Sequence, residues 1–175
     1  MKQDPQLSEE PKRRRTKTPD EALAALMRLC ARAEKTESDA RRLLDGWGVA
    51  EAEARRIVER LVRERFIDDA RYAAAFVREK LRLSGWGAYK IRAALRRKGI
   101  DPGLIDEALA QADEEGMRGR LHEMLARKAR TVKHASGREL KTKLIRYGLS
   151  LGYEYDAVLD EAAAITRQQY PCDEY

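Results

Sequence analysis

Carboxylates, imidazoles and thiols are the groups of this 175-residue chain that could do acid–base, nucleophilic or metal chemistry. Adjacent Asp68 and Asp69, in RERFIDDARYAAAF, resemble half of an acid or metal site. The simpler reading is a helix start, where an aspartate caps free backbone N–H groups and its charge suits the positive end of the dipole. His122 and Glu123 are consecutive in a helical stretch, so they face different directions and make a poor pair, and His134 falls on another segment. Cys30 and Cys172 stand far apart without Cys/His spacing around them, which indicates neither a disulfide framework nor a zinc site and fits a reducing, cytoplasmic setting. No GxxxxGKS/T loop, HExxH or GxSxG occurs. These residues predict no enzyme, no metal and no cofactor.

The remaining chemistry is charge. Charged residues make up 38 % of the chain and its formal charge is +6, which makes a polyanion a plausible partner. Between Arg78 and Lys98 lie eight bases against Glu79 alone, whereas Asp101 to Glu115 holds six acids and no base. Arg118 to Arg146 carries ten bases against Glu123 and Glu139, and acids return after Gly152 as Glu154, Asp156, Asp160 and Glu161. Any one such helix reads as a solvated face, but recurrence in phase suggests basic surfaces at intervals, as a polyanion or nucleoprotein requires. Candidate contacts are Lys90, Arg92, Arg96, Arg97, Lys98, Lys141, Lys143 and Arg146. Arg92 and Arg96 lie one turn apart and should share a face, with Tyr89 beside Arg92.

The elements that must hold these residues are helices. Aromatics are only 6 % and apolar residues recur at helical spacing, as in Leu23, Leu26, Met27 and Cys30, so the fold class is all-α. Thr18-Pro19-Asp20-Glu21 and Ser136-Gly137-Arg138-Glu139 read as capping boxes, and Asp101-Pro102 as a third helix start. About nine short helices fall into threes when Gly48-Val49, Gly99-Ile100 and Gly152-Tyr153 share a column, with offsets of 51 and 53 residues. Each glycine is the expected left-handed end of a middle helix. Ala54, Ile105 and Val158 then align, as do Val58, Leu109 and Ala162. The third copy leaves two registers open, one through Gly152 with a longer middle helix and one through Gly148.

The expected architecture is an elongated, curved array of three tandem three-helix repeats, at 18–67, 68–116 and 117–168, after a disordered basic arm (1–17) and before a tail (169–175). The two GWG tripeptides, Gly46 to Gly48 and Gly85 to Gly87, are 39 residues apart and so out of phase with the repeat. They read as two different turns spelled alike. No run reaches the roughly 18 apolar residues of a membrane span, so no membrane contact is expected.

FIDDARYAAAF (Phe66 to Phe76) followed by SGWGAYKIRAALRRKGI (Ser84 to Ile100) resembles the signature of the RecX family, bacterial regulators of the RecA recombinase. The matching positions include Phe66, Ile67, Asp68, Asp69, Arg71, Tyr72 and Phe76, then Gly87, Ile91, Leu95, Gly99 and Ile100. The resemblance covers roughly Thr18 to Ala164 and is strongest in the second repeat. It implies a non-enzymatic, monomeric protein of DNA repair, homologous recombination and the SOS response. Such proteins bind the groove of the RecA filament on single-stranded DNA and suppress its ATPase, strand exchange and co-protease activity, meeting DNA directly or through RecA. The competing reading is a stand-alone DNA-binding protein with helix-turn-helix-like units. Against it, the last helix of the second and third repeats, where a reading helix would lie, is acidic.

Overall fold

The structure is a computed structural model that describes residues 16–112 and 114–171. Lys12, Arg13, Arg14 and Arg15 of the basic arm, and Cys172, lie outside these residues. The described residues form nine α-helices and no strand. Two compact units divide between Ile67 and Asp68.

The first unit holds α1 (Pro19–Arg32), α2 (Glu37–Gly46) and α3 (Glu51–Arg63). Its core collects Leu26, Leu44, Val58, Leu61 and Ile67, all essentially inaccessible to solvent, and each such side chain contributes roughly 1.5–3 kcal/mol by leaving water. Thr18 opens α1 with a complete capping box, its N–H donating to Glu21 Oε2 at 2.9 Å while the Glu21 N–H donates to Thr18 Oγ1 at 3.3 Å. Lys17 is tied to this unit as well. Its N–H donates to the Trp47 carbonyl at 3.1 Å and its ammonium lies 5.0 Å from the centre of the Trp47 ring.

The second unit holds two sets of three. The first comprises α4 (Asp69–Glu79), continued by a π-helical turn at Lys80–Ser84, then α5 (Ala88–Arg97) and α6 (Pro102–Ala110), around Ala73, Val77, Ile91, Leu95 and Ile105. The other comprises α7 (Glu114–Thr131), α8 (Gly137–Leu151) and α9 (Tyr155–Gln169), around Leu121, Leu125, Leu140, Leu144 and Val158.

Gly48, Gly99 and Gly152 adopt φ of +71°, +76° and +86°, so the glycine column marks three equivalent helix ends. In each, the residue after the glycine donates to the carbonyl of the residue four before the glycine: Val49 to Leu44, Ile100 to Leu95, Tyr153 to Gly148. This is the Schellman pattern, which uses carbonyls that a helix end leaves unpaired. The third register therefore runs through Gly152. Helices α2 and α5 begin eleven residues before their glycine and α8 begins fifteen before, so the extra turn sits at its start. Gly148 replaces the buried leucine of the other copies because a Cβ there would lie 2.6 Å from Val158 Cγ1 of α9.

The two GWG turns differ as their spacing suggests. In the first, Gly46 is helical with open space around its missing Cβ, and Gly48 makes the left-handed turn. In the second the left-handed residue is Gly85, φ +63°, and Gly87 is extended at φ −82°.

Gly87 is needed for contact. No side chain caps the start of α5. The Gly87 N–H instead donates to the Leu151 carbonyl at 2.8 Å and the Tyr89 N–H to the Gly152 carbonyl at 3.0 Å. Lys90 Nζ donates to the Ser150 carbonyl at 3.1 Å. Donors that begin one helix thus meet acceptors that end another, with the positive end of α5 against the negative end of α8. A Cβ on Gly87 would come within 2.6 Å of the Tyr153 nitrogen and closer to the Gly152 carbonyl, and one on Gly152 would strike Lys90.

One glycine from each tripeptide, Gly87 and Gly46, should therefore respond oppositely to alanine. In denaturant melts, Gly87→Ala is expected to lower the unfolding free energy by about 1–3 kcal/mol. Gly46→Ala should leave it unchanged or raise it by about 0.5–1 kcal/mol.

Candidate nucleoprotein-binding surface

Helix α5 buries Ile91, Ala94 and Leu95 and leaves Arg96 and Arg97 exposed, with neither guanidinium paired among the described residues. Tyr89, at 74 % exposure, sits on the same helix one turn before Arg92. Arg92 is already engaged, since Nε and Nη2 both donate to Asp106 Oδ1 of α6, at 3.3 and 2.8 Å. Lys98 is half-buried at the end of α5, its N–H donating to the Ala94 and Leu95 carbonyls. Part of the acidic character of α6 is thus internal compensation for α5.

On α8 the buried line is Leu140, Leu144, Gly148 and Leu151. Lys143 on its outer side is held by Glu139 Oε1 at 2.6 Å and by the Lys133 carbonyl at 2.7 Å. Arg146 is exposed and Lys141 half-buried, and neither side chain is paired among the described residues. Residues 143, 146 and 150 follow one another along one side of a helix, and the last is the residue whose carbonyl holds Lys90. The basic stripe of α8 therefore runs into the start of α5 at the glycine joint. Lys90 also lies over the Trp86 ring, 4.8 Å from its centre, with Lys80 at 5.6 Å. The Lys90 contact, worth about 0.5–1 kcal/mol, holds its ammonium on the ring as well as on the Ser150 carbonyl. No spacing in the sequence announces the pairing; the only trace is a tryptophan between two glycines.

The motif residues have structural roles. Phe66 and Ile67 pack in the first core, and Ile91, Leu95 and Ile100 in the second. Asp68 caps α4, accepting from the Arg71 N–H at 2.9 Å, with the Arg71 guanidinium 4.0 Å from its other oxygen. Asp69 is the first residue of α4, and Tyr72 and Phe76 stack at 6.1 Å. His122 turns to Glu161, 3.0 Å away, while Glu123 pairs with Arg120 at 2.6 Å, so the two neighbours do face different ways. Among the described residues no group of three or more His, Cys, Asp or Glu is placed to hold a metal, and no helix is long and apolar enough to cross a membrane.

The Ser136 box forms with one shift. Glu139 N–H donates to Ser136 Oγ at 3.2 Å, but the Glu139 carboxylate reaches back past the cap to the Ala135 N–H at 2.8 Å. Its hydrogen bond from Lys143, then that from Ala135, hold its pKa below the usual carboxylate value. Burial pushes the Tyr153 hydroxyl the other way, up to about 12, partly offset by Arg120.

Helical units in threes, with motif residues spent on caps and core, define an all-helical repeat protein. Residues 68–109 match the family model of the RecX second three-helix domain. The chain is 31% identical over 138 residues to the Regulatory protein RecX of Clostridium botulinum (strain Eklund 17B / Type B), covering 78% of this chain and 64% of that relative's length. The crystal structure of RecX from Lactobacillus salivarius has the same fold, with a TM-score of 0.78 at 21% identity over 84% of this chain and 96% of that one. A second solved structure, of regulatory protein RecX, superposes with a TM-score of 0.74 at 25% identity, covering 79% of this chain and 70% of that one. Residues 68–109 thus match a RecX domain, and most of the chain is similar to proteins named Regulatory protein RecX, a family of regulatory proteins rather than enzymes.

Because its folded-state pKa is depressed, Glu139 contributes stability above the ordinary carboxylate range that is lost as pH falls through its own lower pKa. NMR titration should give Glu139 a midpoint below 4.5, the ordinary value, moving back toward it in Lys143→Met.

Proposed function

We propose that the protein is a non-enzymatic inhibitor of the RecA recombinase, binding in the groove of the RecA filament on single-stranded DNA and suppressing ATPase, strand exchange and co-protease activity. The observation that carries this reading is the basic stripe of α8 and α5, continuous at the glycine joint, on a chain similar to proteins named Regulatory protein RecX. The repeats at 18–67, 68–116 and 117–168 act as successive docking modules, so that several weak contacts add through effective concentration. Arg96, Arg97, Lys141 and Arg146 carry the contact, because among the described residues their charges are not spent on internal partners. Arg92, Lys143 and Lys90 shape the surface while engaged with Asp106, Glu139 and the Ser150 carbonyl. The protein works as a cytoplasmic monomer that reaches single-stranded DNA directly or through RecA.

The test pairs binding with activity. Affinity for bare single- and double-stranded DNA and for preformed RecA filaments is measured at about 150 mM salt, where phosphate-driven binding is already weakened. Preference for filaments and a fall in RecA ATPase are expected, and Arg96→Glu with Arg146→Glu should weaken inhibition by about tenfold or more with circular dichroism unchanged. Tight binding to bare duplex with no filament preference and no effect on ATPase would favour the helix-turn-helix reading instead.

A further inference from the structure

A second surface on the Asp68–Tyr175 unit uses none of those residues. Helices α4, α6 and α7 enclose a groove of about 1030 Å³ whose floor is Ala74, Val77, Leu81, Ala108, Ala112 and Met117. The π-helical turn forms one lip. A π turn inserts a residue into the helical ladder, is rare, and is frequent at functional sites. Here it leaves Leu83 on the rim at 74 % exposure, although neighbouring Leu81 packs into the core.

Charge at the rim is uneven. Glu79 is taken by Lys80 at 2.7 Å and Glu123 by Arg120 at 2.6 Å, whereas neither Arg78 nor Arg82 has a side-chain partner among the described residues. An incoming ligand therefore meets an apolar floor beneath two uncompensated guanidinium groups. No aromatic ring lines the groove, so unstacked bases find no platform there. Gly119 on the α7 wall has nothing within 4 Å of its missing Cβ, which leaves the space open to side chains from outside.

We propose that this groove is a docking site for an acidic protein segment that inserts aliphatic side chains between α4 and α7 and sets its carboxylates against Arg78 and Arg82. The partner is a peptide with apolar residues at helical spacing and acids between them. The site is separate from the α5–α8 stripe, so either can fail without the other.

The test uses the full chain and fluorescence anisotropy of labelled peptides about four helical turns long, with leucines at i, i+3, i+4 and i+7 and glutamates elsewhere. The acidic peptide should bind, and versions with lysine for glutamate or serine for leucine should bind at least about tenfold more weakly. Arg78→Glu with Arg82→Glu should abolish the preference for the acidic peptide. Gly119→Leu should remove binding while leaving the thermal melt intact, because its side chain enters open space. The proposal is overturned if the acidic peptide does not bind, if the acidic and basic peptides bind alike, if Gly119→Leu leaves binding unchanged, or if single-stranded oligonucleotide displaces the peptide from the groove.

Discussion

The Asp68–Tyr175 unit depends on two helix ends meeting without side chains between them. At Gly87 and Gly152 the start of α5 and the end of α8 approach until backbone N–H groups of one reach backbone carbonyls of the other. Free donors and free acceptors at helix termini are a cost wherever water is excluded, and here each set satisfies the other. Two three-helix sets that keep separate apolar cores are thereby joined at a polar seam. The basic stripe exists because of that seam. Without it, Arg146 and Lys90 would belong to two surfaces instead of one.

Counting bases overstates what such a surface offers a partner. Arg92 and Lys143 lie in the two densest basic segments, yet each is answered by a carboxylate on its own or an adjacent helix. The acidic third helix α6 therefore neutralises Arg92 through Asp106, whereas Lys143 is answered within α8 by Glu139. The same sorting picks out Arg78 and Arg82 beside the α4–α7 groove, where Glu79 and Glu123 are engaged by Lys80 and Arg120. Exposed ion pairs of this kind contribute little stability.

Much of the fold could be read from local signals. Helix starts at Thr18, Asp68, Asp101 and Ser136 are set by side chains bonding a few residues along the chain, and such effects are visible in short windows. The glycine column was legible because a left-handed helix end strongly favours one residue type. Its third register was not, because Gly148 answers to Val158 on another helix rather than to its own turn. Of the candidate contacts, the stretch of sequence was readable but not the sorting. Asp106 neutralises Arg92 from fourteen residues away, and the Ser150 carbonyl holds Lys90 from sixty. The joint itself is made by backbone atoms, so its trace in the sequence is the absence of side chains at Gly152 and at Gly87. The absence at Gly87 was spelled out in the second GWG and shared, for an unrelated reason, with the first.

The joint is tested most directly by native-state hydrogen exchange at the Gly87 and Tyr89 amides. Bonded to the Leu151 and Gly152 carbonyls, both should exchange as slowly as core amides such as Leu95, needing the whole unit to open. Exchange as fast as in the first turn of α3, which no side chain caps, would mean that the two helix ends do not meet and that the α5 and α8 basic segments are not one surface.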